Sequence, residues 1–412
     1  MPMSPLRVTI LSWRDSTHPE GGGAERYLER IAGDLAADGC EITVLCSRHA
    51  GAPSFAVRDG VTFRFSGGRF GVYPAALARL WLARLGRRRP DVVIDVHNGV
   101  PFFARLLAGC PVVVLVHHVH REQWSVVFGP LLARVGWWLE STLSPRLHRG
   151  CQYIAVSAVT RSELVELGVR ADDIAVVHNG SSSGDGPQVA RDPAPSLVVL
   201  GRLVPHKRVE HAMDVVAALQ SEFPGLRLRV IGEGWWHQQL RQHARSIGID
   251  HLVSLEGYVS EQRKEELLAR SWLMLAPSVK EGWGLMVIDA AAHGVPSIAY
   301  RDAGGLSESI IHGRTGLLVD GKQDLIDATR ALLNDQPARE SLGQAARSIA
   351  AGYSWRTAST SMLQLLSRAG AGLRPTDAVD PTAAVMVIDL RENRDQEQPR
   401  SNRTGPHGPD GA

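Results

Sequence analysis

Cysteine is scarce in this chain of 412 residues: there are four, Cys40, Cys46, Cys110 and Cys151. Their scatter offers neither metal-ligand spacing nor a disulfide framework, so buried free thiols in a reducing compartment are expected. An excess of one charge is lacking too, because 45 Lys and Arg against 43 Asp and Glu leave a formal net charge of +2. That balance gives no reason to expect nucleic acid as a bulk partner. No apolar run approaches the roughly eighteen residues of a membrane span. No leader is legible either, since Met1-Pro-Met-Ser-Pro-Leu-Arg passes directly into the apolar run Val8–Ser12. A catalytic body facing the cytosol is expected, and the sequon Asn402-Arg-Thr404 then carries no meaning. What remains is a globular composition, 44% hydrophobic and 21% charged, with length enough for two or three domains.

Strand-like runs alternate with helix-like stretches from end to end, which predicts parallel α/β units. The first series is Val8–Ser12, Glu41–Cys46, Val61–Phe65, Val92–Val96, Val112–Val116 and Tyr153–Val156, followed by a short segment from Arg170 to His178. A small polar stretch, Ser181-Ser-Ser-Gly-Asp-Gly-Pro, then reads as a linker. The second series is Leu197–Leu200, Leu226–Ile231, Val253–Leu255, Trp272–Ala276, Ser297–Ala299 and Gly316–Val319. The fold class expected is α/β, with two Rossmann-like domains facing a central cleft. The boundaries expected are 1–181 and 182–352 for the two domains, a helix over 353–369 and a disordered tail over 370–412. The tail's Gly, Pro, Asp, Arg and Gln cannot offset their ordering entropy by burial. One patch in it, Ala384-Val-Met-Val-Ile-Asp-Leu390, has the composition to dock on a sheet edge.

Two carboxylates eight positions apart, Glu281 and Asp289, are the strongest chemical signal. Glu281 lies in a Gly-rich turn after the strand-like Trp272–Pro277, and Leu285 to His293 reads as a helix ending at Gly294-Val-Pro296. The first amides of that helix, at Gly284, Leu285 and Met286, suit an anion. A carboxylate just ahead of them would repel the same anion, so its task is to accept hydrogen bonds from hydroxyls beside a phosphate. Asp289 stands about one turn on, roughly 5 Å away, placed for a second set of hydroxyls. Phosphate between two polyols describes a sugar nucleotide. An acid near a helix start is also common for purely structural reasons.

Other stretches add parts. Gly21-Gly-Gly-Ala-Glu-Arg26 follows the first strand and opens a helix, where Gly22 and Gly23 let backbone approach a ligand. It is not a dinucleotide fingerprint, and a tight turn explains it equally well. Val112–Val116 delivers His117 and His118, with His120 close behind, to the carboxyl edge of a parallel sheet, where ligands bind. A metal there would need further ligands at workable spacing, and none stands out, so no metal is expected. Arg202 and Lys207, in Gly201-Arg-Leu-Val-Pro-His-Lys-Arg208, suit the charge of a diphosphate leaving group. A solvated basic loop is the plain alternative. Val230-Ile-Gly-Glu-Gly234 and Leu255-Glu-Gly-Tyr-Val259 each end a strand at glycine, where a base could lie against backbone near Gly232, Tyr258 and Val259.

In order and over roughly residues 7 to 368, these motifs resemble the retaining glycosyltransferases of family 4, of GT-B architecture. The resemblance rests on Glu281-x7-Asp289, Gly-Gly-x-x-Arg26, Gly201-Arg-Leu-x-x-x-Lys207 and the histidines after Val116. It departs from the family at Asp289, where the family has Glu, and at Arg208, which replaces a glycine. The resemblance implies that Glu281 contacts the transferred sugar and Asp289 the nucleotide ribose. His117 would touch the sugar near the reacting centre, with His118 as runner-up and His120 facing the acceptor. It implies a glycine loop closing on donor phosphate and acceptor, a helix from Tyr353-Ser-Trp355 crossing back to the first domain, and a nucleotide-diphosphate sugar as co-substrate without metal. A sugar-nucleotide 2-epimerase or a non-catalytic sugar-nucleotide-binding subunit stays open.

One more signal is separate. Tyr73–Arg89 reads as an amphipathic helix with Leu and Trp on one side and Arg79, Arg84 and Arg87 to Arg89 near the other. Such helices lie on anionic membranes, or pack as ordinary surface helices. Trp124–Trp138 is apolar enough for a lipid acceptor groove or for core. A hydroxyl acceptor that is lipid-linked, and a peripheral place on the inner face of the membrane, follow as open expectations.

Overall fold

A computed structural model describes residues 5–86, 89–181 and 189–373. Most of the expected linker, Arg87 and Arg88, the patch 384–390 and the segment 374–412 lie outside the described residues.

The first half forms an eight-stranded sheet from β1 (Arg7–Leu11), β2 (Glu41–Ser47), β3 (Phe55–Arg58), β4 (Val61–Ser66), β5 (Val92–His97), β6 (Val112–Val116), β7 (Gln152–Ala155) and β8 (Ile174–Val176). The second half forms a six-stranded sheet from β9 (Ser196–Leu200), β10 (Arg227–Ile231), β11 (Val253–Gly257), β12 (Leu273–Ala276), β13 (Ser297–Tyr300) and β14 (Gly316–Val319). Spatial order is β3-β4-β2-β1-β5-β6-β7-β8 in the first and β11-β10-β9-β12-β13-β14 in the second. Every described pairing is parallel except β3 with β4. Helices cover both faces of a parallel sheet, so its strands read as unbroken apolar runs such as Val112-Val-Val-Leu-Val116, buried throughout.

The antiparallel β3 was not among the expected strands. It is joined to β4 by Asp59-Gly60, both at positive φ (47° and 75°), the turn geometry that an Asp-Gly pair signals. The apolar stretch 124–138 divides into two helices, Arg121–Val127 and Pro130–Trp138, because Gly129-Pro130 interrupts it and Pro130 starts the second. The basic helix runs over Gly68–Arg84, earlier than the pattern suggested.

The chain returns to the first half through the helix Trp355–Gly370, whose first turn is capped by Ser354 accepting from the Thr357 amide at 3.0 Å. Ala358, Met362, Leu366 and Ala369 join the core beneath Tyr27 and Ile31. Gly180 is required at this crossing, since a Cβ there would meet the Trp355 backbone nitrogen at 2.3 Å. No helix among the described residues is long and apolar enough to cross a membrane.

In both sheets the strand order reverses beside the first strand, between β1 and β5 and between β9 and β12. Loops leaving a parallel sheet diverge at such a point and open a crevice there. The glycine turn at 21–23 follows β1, Asn98 follows β5, Arg202 and Lys207 follow β9, and Glu281 follows β12. Topology alone therefore gathers these loops in two pairs, one at the switch point of each sheet.

Candidate active site

A cavity of about 590 Å³ lies between the halves, and residues of both line it. Gly22, Gly23, Arg26, His117 and His118 come from the first half; Arg202, Lys207, Gly232, Tyr258 and Val259 come from the second. Glu281, Gly284, Leu285, Met286 and Asp289 complete the second wall. His120 is not among the lining residues. It is buried, and its Nδ1 and backbone amide meet Glu140 Oε1 at 2.9 and 3.0 Å. Glu140 also accepts from Trp124 Nε1 at 2.7 Å. His120 thus stands behind the cleft wall, its ring beside that of His118 (centroids 4.0 Å apart), held by a carboxylate twenty residues away.

The halves interlock closely. Glu308 accepts from the Ala158 and Val159 amides (2.7 and 3.2 Å) at the start of the helix Ala158–Glu166, and its other oxygen meets His178 Nε2 at 2.7 Å. Gly282 lies against the end of β6, where a Cβ would fall 2.0 Å from the His117 carbonyl oxygen, so only glycine fits. Arg202 reaches the first half and donates to the Glu20 carbonyl at 3.2 Å. It lies across Gly22, whose absent side chain would meet its Nε at 3.0 Å. Burial, and then the Arg14 charge, press the Arg202 pKa downward. Such a half-buried cation gains from an incoming anion.

Beside it stands a group that the motif reading passed over. Glu25 is buried and meets Arg14 Nε at 3.0 Å and Asn98 Nδ2 at 2.9 Å. Burial works to raise its carboxyl, but the Arg14 and Arg202 charges hold it below the ordinary range. Its other oxygen accepts from the Gly22 amide at 2.7 Å, which fixes the glycine turn.

On the second half, Lys207 pairs with Glu281. The Glu281 backbone is tied on both sides, its amide to Ala303 O (3.1 Å) and its carbonyl to Gly305 N (2.8 Å). Gly284 follows at φ 93°, and a Cβ there would come within 2.4 Å of Leu306, so glycine alone allows the chain to enter the helix Leu285–Ala292. No side chain caps that helix. Asp289 is buried and meets Lys264 Nζ at 2.8 Å. Lys264 also pairs with Glu261. Burial disfavours the Lys264 charge, yet Asp289 and Glu261 outweigh it and raise the ammonium's pKa. Arg26 stays at the rim, 3.8 Å from Glu261 and over the Tyr258 ring at 5.6 Å.

Arg208, which stands where the family pattern has glycine, adopts φ 47°. A side chain in that region costs about 1 kcal/mol or more. The guanidinium lies over the Tyr300 ring at 5.8 Å, a contact glycine would lack.

His117 packs edge-on against Tyr27, with ring centroids 5.3 Å apart, and its buried Nε2 has no hydrogen-bond partner. Burial pushes its pKa down to about 4. His206 is likewise lowered to about 4, by burial first and then by the Lys207 charge. Unfolded histidine takes up its proton near 6.5. Between these values the unfolded chain binds more protons than the folded one, so stability falls as pH falls. Thermal melts are expected to be flat above pH about 6.5 and to drop steadily toward pH 4, with a shallower slope in His117→Gln. An equal slope in that variant would remove His117 from the account.

Two parallel α/β halves that meet at their switch points, with basic loops and two carboxylates on the second half's wall of the cleft, have the architecture of a glycosyltransferase of the GT-B class. The chain belongs to glycosyltransferase family 4. The family model described as Glycosyltransferase Family 4 matches residues 21–182, and that described as Glycosyl transferases group 1 matches residues 186–349. The glycogen synthase of Mycobacterium tuberculosis is 27% identical over 411 residues, covering 90% of this chain and 96% of that protein. The D-inositol 3-phosphate glycosyltransferase of Nocardia farcinica is 28% identical over 415 residues, covering 89% and 90%. Among solved structures, sucrose-phosphate synthase from Thermosynechococcus elongatus superposes with a TM-score of 0.76 at 16% identity, covering 89% of this chain and all of that one (100%). Anabaena HepE in complex with UDP-glucose gives 0.68 at 17% identity, covering 88% and 99%. At these identities the solved structures speak for the fold alone.

Proposed function

We propose that this glycosyltransferase moves a hexosyl unit from a nucleotide-diphosphate sugar to a hydroxyl acceptor, with retention at the anomeric carbon. The observation that carries the reading is that Arg202, Lys207, Glu281 and Asp289 line one cavity although 87 residues of sequence separate the first from the last. Arg202 and Lys207 take the diphosphate, the uncapped amides of Leu285 and Met286 face it, and Glu281 binds the hexose hydroxyls. Asp289, steadied by Lys264, accepts from the ribose. The leaving diphosphate, with its charge held by the two cations, helps remove the proton of the attacking hydroxyl on the same face. Glycoside hydrolysis needs its two carboxylates astride one bond, whereas here Asp289 is assigned to ribose. No metal ion is assigned a part in this reaction.

A panel of nucleoside diphosphates and their sugars tests the donor class, because a ligand of the native state raises apparent stability by mass action. At a hundredfold excess over Kd the gain is about 2.7 kcal/mol. At least one nucleotide diphosphate is expected to raise the melting temperature by several degrees, and Asp289→Ala to lose most of that shift. No shift with any nucleotide would sink the donor assignment.

The acceptor is assigned to a membrane surface. At the end of the basic helix, Trp81, Leu82 and Leu85 are exposed beside Arg79 and Arg84. Leu131, Leu132, Val135 and Trp138 stand exposed on the helix Pro130–Trp138. Apolar faces flanked by arginine suit an anionic bilayer, where each cation adds about 1 kcal/mol and salt screens the attraction. Binding to anionic vesicles is expected to weaken as salt rises and to fall when Arg79 and Arg84 both become Ser. Sedimentation without vesicle pellets at low salt would return the acceptor to soluble sugars or small molecules.

A further inference from the structure

Asp95 interrupts the apolar run of β5, and its side chain is fully buried. A carboxylate in that position is costly unless it is paired or coordinated. Backbone amides of Phe102 (3.2 Å) and Ala104 (2.9 Å) orient it. His97 follows two residues on, on the same face of β5, and His148 arrives from the end of the short helix Ser144–Leu147. His148 Nε2 lies 3.5 Å from Asp95 Oδ2, and His97 Nε2 lies 3.7 Å from Asp95 Oδ1. The three ligand atoms fall within 4.8 Å of one another.

Both Nε2 atoms are buried and without a hydrogen-bond partner. Their gaps to Asp95 are too long for good hydrogen bonds. Arms of about 2.0–2.2 Å at a tetrahedral angle hold ligand atoms about 3.3–3.6 Å apart; His148 Nε2 stands at that spacing from Oδ2, and His97 Nε2 faces the other oxygen, Oδ1, just beyond it. His148 Nδ1 donates to the Ser144 carbonyl oxygen at 3.0 Å, which turns the Nε2 lone pair toward the cluster. Tyr153 stands in the same cross-strand row as Asp95, through Val114, and brings its own buried hydroxyl without a partner. A cavity of about 790 Å³ has His148 and Tyr153 in its lining.

We propose that Asp95, His97 and His148 bind a zinc(II) ion, with water as the fourth ligand. The ion fastens the helix Ser144–Leu147 to the end of β5, one residue before Asn98, which holds Glu25 in the cleft. None of the three ligands lines that cleft, so the ion stands apart from sugar transfer. The rival is a protonated histidine that balances Asp95 with no metal.

Tag-free full-length enzyme, stripped by long dialysis against chelator and shown to be folded by circular dichroism, decides between them. Zinc(II) is expected to bind at one equivalent and to raise the melting temperature. Cobalt(II) in its place should give the visible ligand-field bands of a four-coordinate ion. His148→Gln and Asp95→Asn should each lose the ion and the bands. Should Asp95→Asn not fold, His97→Gln serves, because it leaves the carboxylate and its amide contacts in place. A folded wild-type enzyme that takes up no zinc, or variants that bind it undiminished, would overturn the site. The nucleotide-induced thermal shift reads the cleft separately, so either assignment can fail without the other.

Discussion

Replacing Glu281 with alanine is expected to lower turnover by about two to three orders of magnitude while leaving nucleotide affinity within a few-fold of wild type. The asymmetry follows from where the carboxylate sits. Its backbone is fixed at Ala303 and Gly305, so the variant keeps the loop in place. The side chain pairs with Lys207, and removing it leaves that cation with more charge to offer the diphosphate. Nucleotide binding therefore holds, or tightens slightly, while the hexose loses the group that orients its anomeric carbon. Misplacement of reacting atoms by about 1 Å costs on the order of a hundredfold. Asp289→Ala should behave in the opposite way, weakening nucleotide binding first, because Asp289 lies a turn further from the reacting centre with Lys264 Nζ at 2.8 Å. Direct measurement of donor consumption, alongside nucleotide titration, separates the two variants. Near-wild-type transfer by Glu281→Ala would break the assignment at its centre.

How much of this was legible in the sequence depended on whether the signal was local. β6 and β12 were, because a strand buried on both faces leaves a continuous apolar run. That Glu281 and Asp289 share one wall of the cleft was also legible, since a turn and one helix place both. β3 was missed although Asp59-Gly60 announced its turn, because Phe55-Ala-Val-Arg58 is short and only half buried. Lys264 was missed for a deeper reason. In Glu261-Gln-Arg-Lys-Glu-Glu266 it reads as one charge on a solvated face, and only the fold reveals Asp289 opposite. His120 shows a related limit: proximity to His117 in sequence suggested the cleft, while its partner Glu140, distant in sequence, could not be foreseen. Glu308 belongs with Lys264, since nothing near it in sequence tells that its carboxylate caps a helix of the other half.

Loss of either Arg202 or Lys207 to alanine should raise the barrier by about 2.7–4 kcal/mol, the cost of removing one preorganised donor aimed at developing charge. That corresponds to roughly a hundred- to a thousandfold in turnover. The two residues reach the same group from different supports, and this predicts different side effects. Arg202 lies across Gly22 and donates to the Glu20 carbonyl at 3.2 Å, so Arg202→Ala also releases a contact between the halves and should raise KM for both substrates. Lys207 touches Glu281 within its own half, and Lys207→Ala should act mainly on turnover, with partial rescue in Lys207→Arg. Because the charge on the leaving group is assigned to these two side chains, chelator added to the assay should leave wild-type transfer intact. Abolition by EDTA during a brief assay, with rescue by magnesium or manganese, would move that task from the two cations to a metal ion and refute the proposed mechanism.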